Sequence, residues 1–260
     1  MYRRNICVVS CYVQTRILNN MTITYIFHSC YVMEADGFSV IFDFYKDVPR
    51  DNGSLWIRDY LLRKKDDLYV LCTHSHPDHF NPDILLWKKQ KDNIRYIFSK
   101  ELLQSGKTAP GDAVYLEKKE CFDDGRLHIE ALGSTDIGHS FLLKYKEKDI
   151  FHAGDLNNWH WKDEVPKEEA LTYENNFLCE LELLAERSGR LYLAMFPIDP
   201  RLGREYLRGA GQFVRRIRTD YFLPMHFSGR YDLANAFGPV AAKYDCRYLD
   251  VMRRGQSFVL

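Results

Sequence analysis

Thr73-His74-Ser75-His76-Pro77-Asp78-His79 sets four potential metal ligands, His74, His76, Asp78 and His79, within six positions. The apolar run Leu68-Tyr69-Val70-Leu71-Cys72 directly before it reads as a buried strand. The ligands therefore fall at a strand's C-terminal end, where loops carry chemistry. Imidazole nitrogen and carboxylate oxygen together suit borderline cations such as Zn2+, Mn2+ or Fe2+, and catalytic sites mix them while keeping one position for water. Downstream, Asn81 has the side chain of a helix cap and Pro82 suits a first helical turn, which fixes Asp78 and His79 at a strand-to-helix corner. A polar loop of solvated histidines is the plainer reading, but this density of ligands ahead of a capped helix argues against it.

The 260 residues around this loop suffice for one large domain, and 46% hydrophobic with 28% charged residues is the balance of a globular protein rather than a disordered one. Lys+Arg and Asp+Glu are equal at 36 each, which removes the general attraction to nucleic acid or anionic membranes that a basic chain has. Arg215, Arg216 and Arg218 read as the solvated face of a helix. Seven cysteines (Cys7, Cys11, Cys30, Cys72, Cys121, Cys179, Cys246) are odd in number and scattered, several inside apolar runs, so a reducing, cytoplasmic setting is expected. No apolar run approaches the roughly eighteen residues of a membrane span. Residues 1–20 only loosely imitate a secretory signal, because Gln14-Thr15-Arg16 lacks a small-residue cleavage pattern. Met21 opens a clean strand, so 1–20 is read as an upstream extension and 21–260 as a single domain.

From Met21 the pattern predicts a strand over Ile23 to Tyr31, a turn at Ala35-Asp36-Gly37 and a second strand over Phe38 to Phe44. Ser54 to Leu62 has helical spacing behind a Ser cap. Short strands follow at 95–98, 113–116, 121–122 and 127–132, then a hairpin pairing 141–145 with 149–153. The second half alternates strands at 191–196 and 221–223 with helices over 168–187, 203–218 and 233–244, the first carrying Leu171, Leu178, Leu181 and Ala185 on one stripe. A hairpin-rich half followed by a half of alternating strands and helices argues for an α+β fold of two sheets packed face to face with helices outside.

Each ion of a two-metal site needs about three protein ligands and a solvent position, so other loops must contribute. Phe151-His152-Ala153-Gly154-Asp155 is a strand ending in a sharp Gly turn and a carboxylate, and an oxygen ligand there can bridge cations about 3.5–4 Å apart. Tyr221-Phe222-Leu223-Pro224-Met225-His226 likewise runs down a strand into a histidine.

With these residues in place the chain resembles the metallo-β-lactamase-fold hydrolases: His74-x-His76-x-Asp78-His79 matches their signature, Asp155 their bridging Asp and His226 their late His. The resemblance runs over about Met21 to Leu260. The opening Ile26-Phe27-His28-Ser29, with a hairpin into Ile41-Phe42-Asp43, is similar to the subgroup holding ascorbate-6-phosphate lactonase-like proteins. It implies a four-layer αββα sandwich with two divalent ions, Zn2+ first and Mn2+ or Fe2+ as alternatives, at one edge of the sheets. One element departs from the family pattern, which has a His before the strand leading to Gly-Asp. Here Gly133-Ser134-Thr135-Asp136-Ile137-Gly138-His139 offers two candidates, Asp136 at 19 residues before Asp155 and His139 at 16. Asp136 is preferred on spacing, and a carboxylate there hardens the site toward Mn2+ or Fe2+.

Two cations sharing a solvent oxygen lower its pKa from about 15.7 towards 7, which makes hydroxide available as nucleophile at neutral pH. Asp78 is assigned the catalytic task of orienting it or taking a proton. Substrate contacts are sought in Trp159, His160 and Trp161 just after Asp155, where the Trp side chains are either an aromatic wall or core anchors of the next helix. His28 is read as a pocket residue or as hairpin packing, and Arg201 and Arg230 as grips for a carboxylate or phosphate or as surface ion pairs. The function expected is metal-dependent hydrolysis of a small ester, lactone or phosphoester. A nuclease or phosphodiesterase, and a metal-binding relative without turnover, are the alternatives; the balanced charge argues against nucleic acid as a partner.

Overall fold

The computed structural model describes residues 21–260, so the expectation for residues 1–20 lies outside the described residues. The first sheet is built from β1 (Thr22–Phe27), β2 (Cys30–Ala35), β3 (Phe38–Phe42), β4 (Asp67–Cys72), β5 (Ile94–Ser99) and β6 (Val114–Leu116). The second contains β7 (Cys121–Asp123), β8 (His128–Leu132), β9 (Ser140–Tyr145), β10 (Lys148–His152), β11 (Leu191–Pro197), β12 (Thr219–Met225) and β13 (Arg247–Tyr248), and β14 (Ser257–Val259) returns to pair with β1. Spatial order is β14-β1-β2-β3-β4-β5-β6 in one sheet and β13-β12-β11-β10-β9-β8-β7 in the other. The helices are α1 (Glu101–Gln104), α2 (Lys167–Arg187), α3 (Arg208–Arg216), α4 (Tyr231–Asn235) and α5 (Gly238–Ala242).

Two separate apolar cores explain the layering. Along β4, Tyr69 and Leu71 join the core shared with the second sheet, while Leu68, Val70 and Cys72 join a core on the outer face with Phe80, Ile84 and Trp87. A strand that buries both faces reads as a continuous apolar run, as this one does. The second sheet is covered by α2 through Ala170, Phe177, Leu181 and Leu184, and by α3 through Phe213 and Val214. The result is the α+β, four-layer αββα sandwich of the metallo-β-lactamase fold. None of the described helices is long and apolar enough to cross a membrane.

The parallel ladders matter for the site. β3 with β4, and β10 with β11 and β12, run parallel, so their C-terminal ends emerge at one edge of the sandwich. Several local expectations change. The strand expected over Ile23 to Tyr31 is broken by a tight turn at His28-Ser29, with His28 at φ 58. The helix expected from Ser54 shrinks to two irregular turns over Trp56–Tyr60 and Leu61–Arg63; Ser54 bonds Asn52, and the Asp47 carboxylate takes the Ile57 and Arg58 amides instead. Leu171 leaves the expected stripe and is 47% exposed. The helix expected over 203–218 starts only at Arg208, after Gly203 at φ 73, and the one expected over 233–244 is split into α4 and α5, with Pro239 at the start of α5.

Candidate metal centre

Asp43, the 74–79 loop, Asp155, Asp199 and His226 leave the C-terminal ends of β3, β4, β10, β11 and β12, and the His28 turn and the 133–139 loop reach the same edge. Convergence is tight because glycines let backbones touch. A Cβ on Gly138 (φ 75) would sit 2.1 Å from the Thr73 carbonyl oxygen and 2.5 Å from His74 Cβ, and one on Gly154 (φ 54) would meet Thr73 at 2.9 Å.

Three imidazoles are turned the same way by partners behind them. His79 Nδ1 donates to Asp43 Oδ2 at 2.8 Å, and His226 Nδ1 donates to Asp199 Oδ2 at 2.8 Å. The Thr73 hydroxyl donates to Asp43 Oδ2 at 2.7 Å, so at 2.9 Å from His74 Nδ1 it must accept. Each Nδ1 thus carries the proton, and each Nε2 presents a lone pair forward. What those lone pairs face is Asp155. His74 Nε2 lies 3.3 Å from Asp155 Oδ2, while His79 and His226 Nε2 lie 3.1 and 3.5 Å from Asp155 Oδ1. Lone pairs aimed at a carboxylate repel it unless a cation or proton stands between. His28 Nε2, His79 Nε2 and Asp155 Oδ1 are moreover buried without a hydrogen-bond partner. A donor set of this kind fits divalent metal, and the orphaned atoms are those a metal would satisfy.

Two donor groups can be distinguished. His28, Asp78, His79 and His226 place their donor atoms within 4.8 Å of one another, and His74, His76 and Asp155 do the same. His74 Nε2 and His76 Nδ1 are 3.1 Å apart. The electrostatics follow this geometry: burial pushes the His79 pKa down, but Asp155 and Asp43 outweigh it and hold the pKa well above the ordinary value. Burial likewise pushes Asp155 up, and His79 and His226 bring it well below the usual carboxylate range. Asp78 is held low chiefly by the His28 imidazole beside it.

The remaining candidates separate. Asp136 faces the cluster from its rim, Oδ2 3.8 Å from His76 Nδ1. His139 turns away to the Ser99 hydroxyl at 2.6 Å. A cavity of about 510 Å3 opens over the cluster, lined by His76, Asp78, Asp136, Asp155, Trp159, Trp161, Arg201 and His226 among others. Trp159 donates its indole N–H to the Asp155 carbonyl at 2.8 Å, sets its ring edge against His226, and stacks on Trp161. Both Trp residues therefore border the cavity. Arg201 is gripped by Asp199 through Nε and Nη2 and reaches the cavity. His160 is not brought there: it is buried with Nε2 toward the Glu205 carbonyl and Nδ1 accepting from the Lys162 amide. Nor is Arg230, which is exposed and paired with Asp232. The short Pro82–Lys89 helix does begin at Asn81, whose side chain accepts from the Asp83 amide.

Sequence reasoning missed the groups behind the ligands. Asp43 and Asp199 orient His79 and His226, and Glu101 takes the Ser75 amide and hydroxyl at 2.8 and 2.7 Å. Asp43 and Asp199 each follow an apolar strand, a signal available in the chain; Glu101 carries none. His28 appeared as a pocket candidate, but the turn that aims it inward had no Gly, Pro or Asn to announce it.

A family model described as a beta-lactamase superfamily domain matches residues 22–226, and the chain belongs to that family. Solved structures agree on architecture. Igni18, described as a novel metallo hydrolase from the archaeon Ignicoccus hospitalis, aligns over 93% of this chain and 98% of its own at TM-score 0.66 and 18% identity. The metallo-β-lactamase fold protein YhfI from Bacillus subtilis aligns over 93% and 99% at TM-score 0.61 and 12% identity. CmlA, a diiron β-hydroxylase from Streptomyces venezuelae, aligns over 92% of this chain but 54% of its own at TM-score 0.61 and 15% identity. At such identities the likeness is one of fold. No curated protein matches the chain.

Proposed function

We propose that the chain is a metal-dependent hydrolase of a small, anionic ester, lactone or phosphoester. Two divalent ions would be held by His74, His76 and Asp136 on one side and by Asp78, His79 and His226 on the other, with the Asp155 carboxylate shared; Zn2+ is the first choice and Mn2+ or Fe2+ follow from the Asp136 carboxylate. When bound, such ions polarise the scissile bond and lower the pKa of water. The observation that carries this reading is the trio of Nε2 lone pairs converging on the two oxygens of Asp155 at the floor of the cavity.

The chain's own residues supply the rest. Asp78, ionised and 40% exposed on its side chain, accepts a hydrogen bond from the attacking water and fixes its direction. Trp159 and Trp161 form an apolar wall that limits water on one side. Arg201, its Nε and Nη2 committed to Asp199, is held rigid and offers its remaining face to an anion. A second cavity of about 500 Å3 shares Thr135, Asp136, Trp159 and Tyr173 with the first, leaving room for a substrate of two lobes. The lactonase-like character of the 26–43 segment makes a phosphorylated lactone the first substrate to try.

The test is metal analysis of the purified protein followed by a chromogenic panel of lactones, phosphodiesters and thioesters, each in neutral and anionic form. Metal-dependent turnover favouring anionic members is expected, with Arg201→Gln raising KM about 10- to 100-fold for those members and leaving neutral ones unchanged. No turnover at full metal occupancy would instead support a binding protein.

A further inference from the structure

We propose that His28 is itself a metal ligand, giving one of the two metal positions four protein donors, three of them buried, while the other position is the more open to the cavity. This rests on the metal-dependent reading above but not on hydrolysis. His28 Nε2 lies 3.1 Å from Asp78 Oδ2, and His226 Nε2 lies 3.9 Å from the same oxygen. Bonds of about 2.0–2.2 Å around a tetrahedral ion place neighbouring ligand atoms roughly 3.3–3.6 Å apart. The two observed separations bracket that spacing. The imidazole of His28 lies 4.2 Å from that of His226, centroid to centroid, and 5.6 Å from that of His79.

The turn that delivers His28 is built for that orientation. Its left-handed φ of 58 faces the equally left-handed His226 at φ 64, a conformation few non-glycine residues adopt without a reason. The His28 amide donates to the Tyr25 hydroxyl at 3.0 Å, and its carbonyl accepts the His226 amide at 3.4 Å. The two histidines are thus strapped together by backbone, and the His28 Nε2 they enclose has no hydrogen-bond partner. With Asp78, His79 and His226, His28 completes four protein donors before Asp155 is counted. The other group is more open: besides buried His74 it has His76 and neighbouring Asp136, 43% and 42% accessible on their side chains, against the single open donor Asp78, at 40%, of the His28 set. A four-donor set retains its ion, whereas a more open set with fewer protein ligands exchanges it more readily and admits substrate.

The test uses His28→Gly, because glycine takes a φ of 58 without strain and leaves an imidazole-sized hole. Metal-stripped protein is titrated with Zn2+ against a competing chelator, and with Co2+ while its visible spectrum is followed. Wild type should load in two steps. His28→Gly should weaken the tighter step by more than about tenfold, change the Co2+ spectrum, and recover both on addition of free imidazole. If His28 only orients Asp78, imidazole will not restore whatever affinity is lost, and the proposal fails. Unchanged affinity and spectrum overturn it as well. Should the glycine variant not fold, His28→Asn, which tolerates the same φ, is read for the same loss of the tighter step and the same spectral change.

Discussion

The Asp43 carboxylate and the His79 imidazole meet at 2.8 Å, both fully enclosed, and the same carboxylate takes the Thr73 amide and hydroxyl. Every hydrogen bond to Asp43 in this set arrives from a donor, so an amide in its place must turn its own N–H toward another N–H or O–H in either orientation. Asp43→Asn is therefore expected to unseat His79 and the Thr73 corner together. Divalent-metal affinity should fall about 10- to 100-fold, and the metal-free protein should lose about 1–3 kcal/mol. Chelator competition and urea denaturation measure the two; an unchanged metal affinity would separate Asp43 from the site.

Gly138 locks the 133–139 loop onto the first motif. Alanine there is strained by φ 75 and drives its Cβ into Thr73 and His74 backbone and side-chain atoms that have nowhere to go. Gly138→Ala should cost about 2–4 kcal/mol of stability, with lower metal affinity as His74 shifts. Gly37→Ala, whose added Cβ meets nothing within 4 Å at a φ of 77, is the control for conformational strain alone, about 1 kcal/mol. Equal losses at the two positions would mean that close approach at Gly138 contributes nothing.

Asp136 and His139 can be told apart by where they point. Asp136→Ala should lower metal content or affinity at the open position, because Oδ2 is the carboxylate nearest His76 there. His139→Ala should leave metal content intact, since its Nδ1 is engaged with Ser99. Metal counting after dialysis checks both; a loss confined to His139→Ala would reverse the assignment.

The legible part of this protein was its regular part. The strand before His74, the Gly-Asp after β10 and the strand into His226 each show as apolar runs ending in a polar residue, and together they were enough to reach six of the converging side chains, His74, His76, Asp78, His79, Asp155 and His226. Less legible was whatever depends on contacts across the chain. Nothing local marks His28-Ser29 as a turn; it forms because the Tyr25 hydroxyl and the His226 amide take up its backbone. His160 and Arg230 sit in sequence contexts as promising as Trp159 and Arg201, yet Glu205 and Asp232 draw them off. Neighbours distant in sequence decide direction, and direction decides membership of a site.

At the end of the sandwich away from the metal centre, Asp124 ties the two sheets together. Its carboxylate accepts from the Tyr69 hydroxyl at 2.6 Å, from the Arg126 and Leu127 amides at 3.1 Å, and from Arg95. Burial pushes its pKa up, but these donors outweigh it and the net shift is downward. A carboxyl whose folded pKa is depressed binds protons more weakly in the native than in the unfolded state, so its stabilisation is present above the unfolded value of about 3.9 and disappears as pH falls through the lower folded value. Asp124→Asn should therefore be about 1–2 kcal/mol less stable than wild type above pH 5 and should converge with it on acidification. Urea midpoints between pH 3 and pH 7 measure this gap. A gap that stays constant across that range would assign the loss to shape rather than charge. Metal affinity, governed from the opposite edge, should be the same in both proteins.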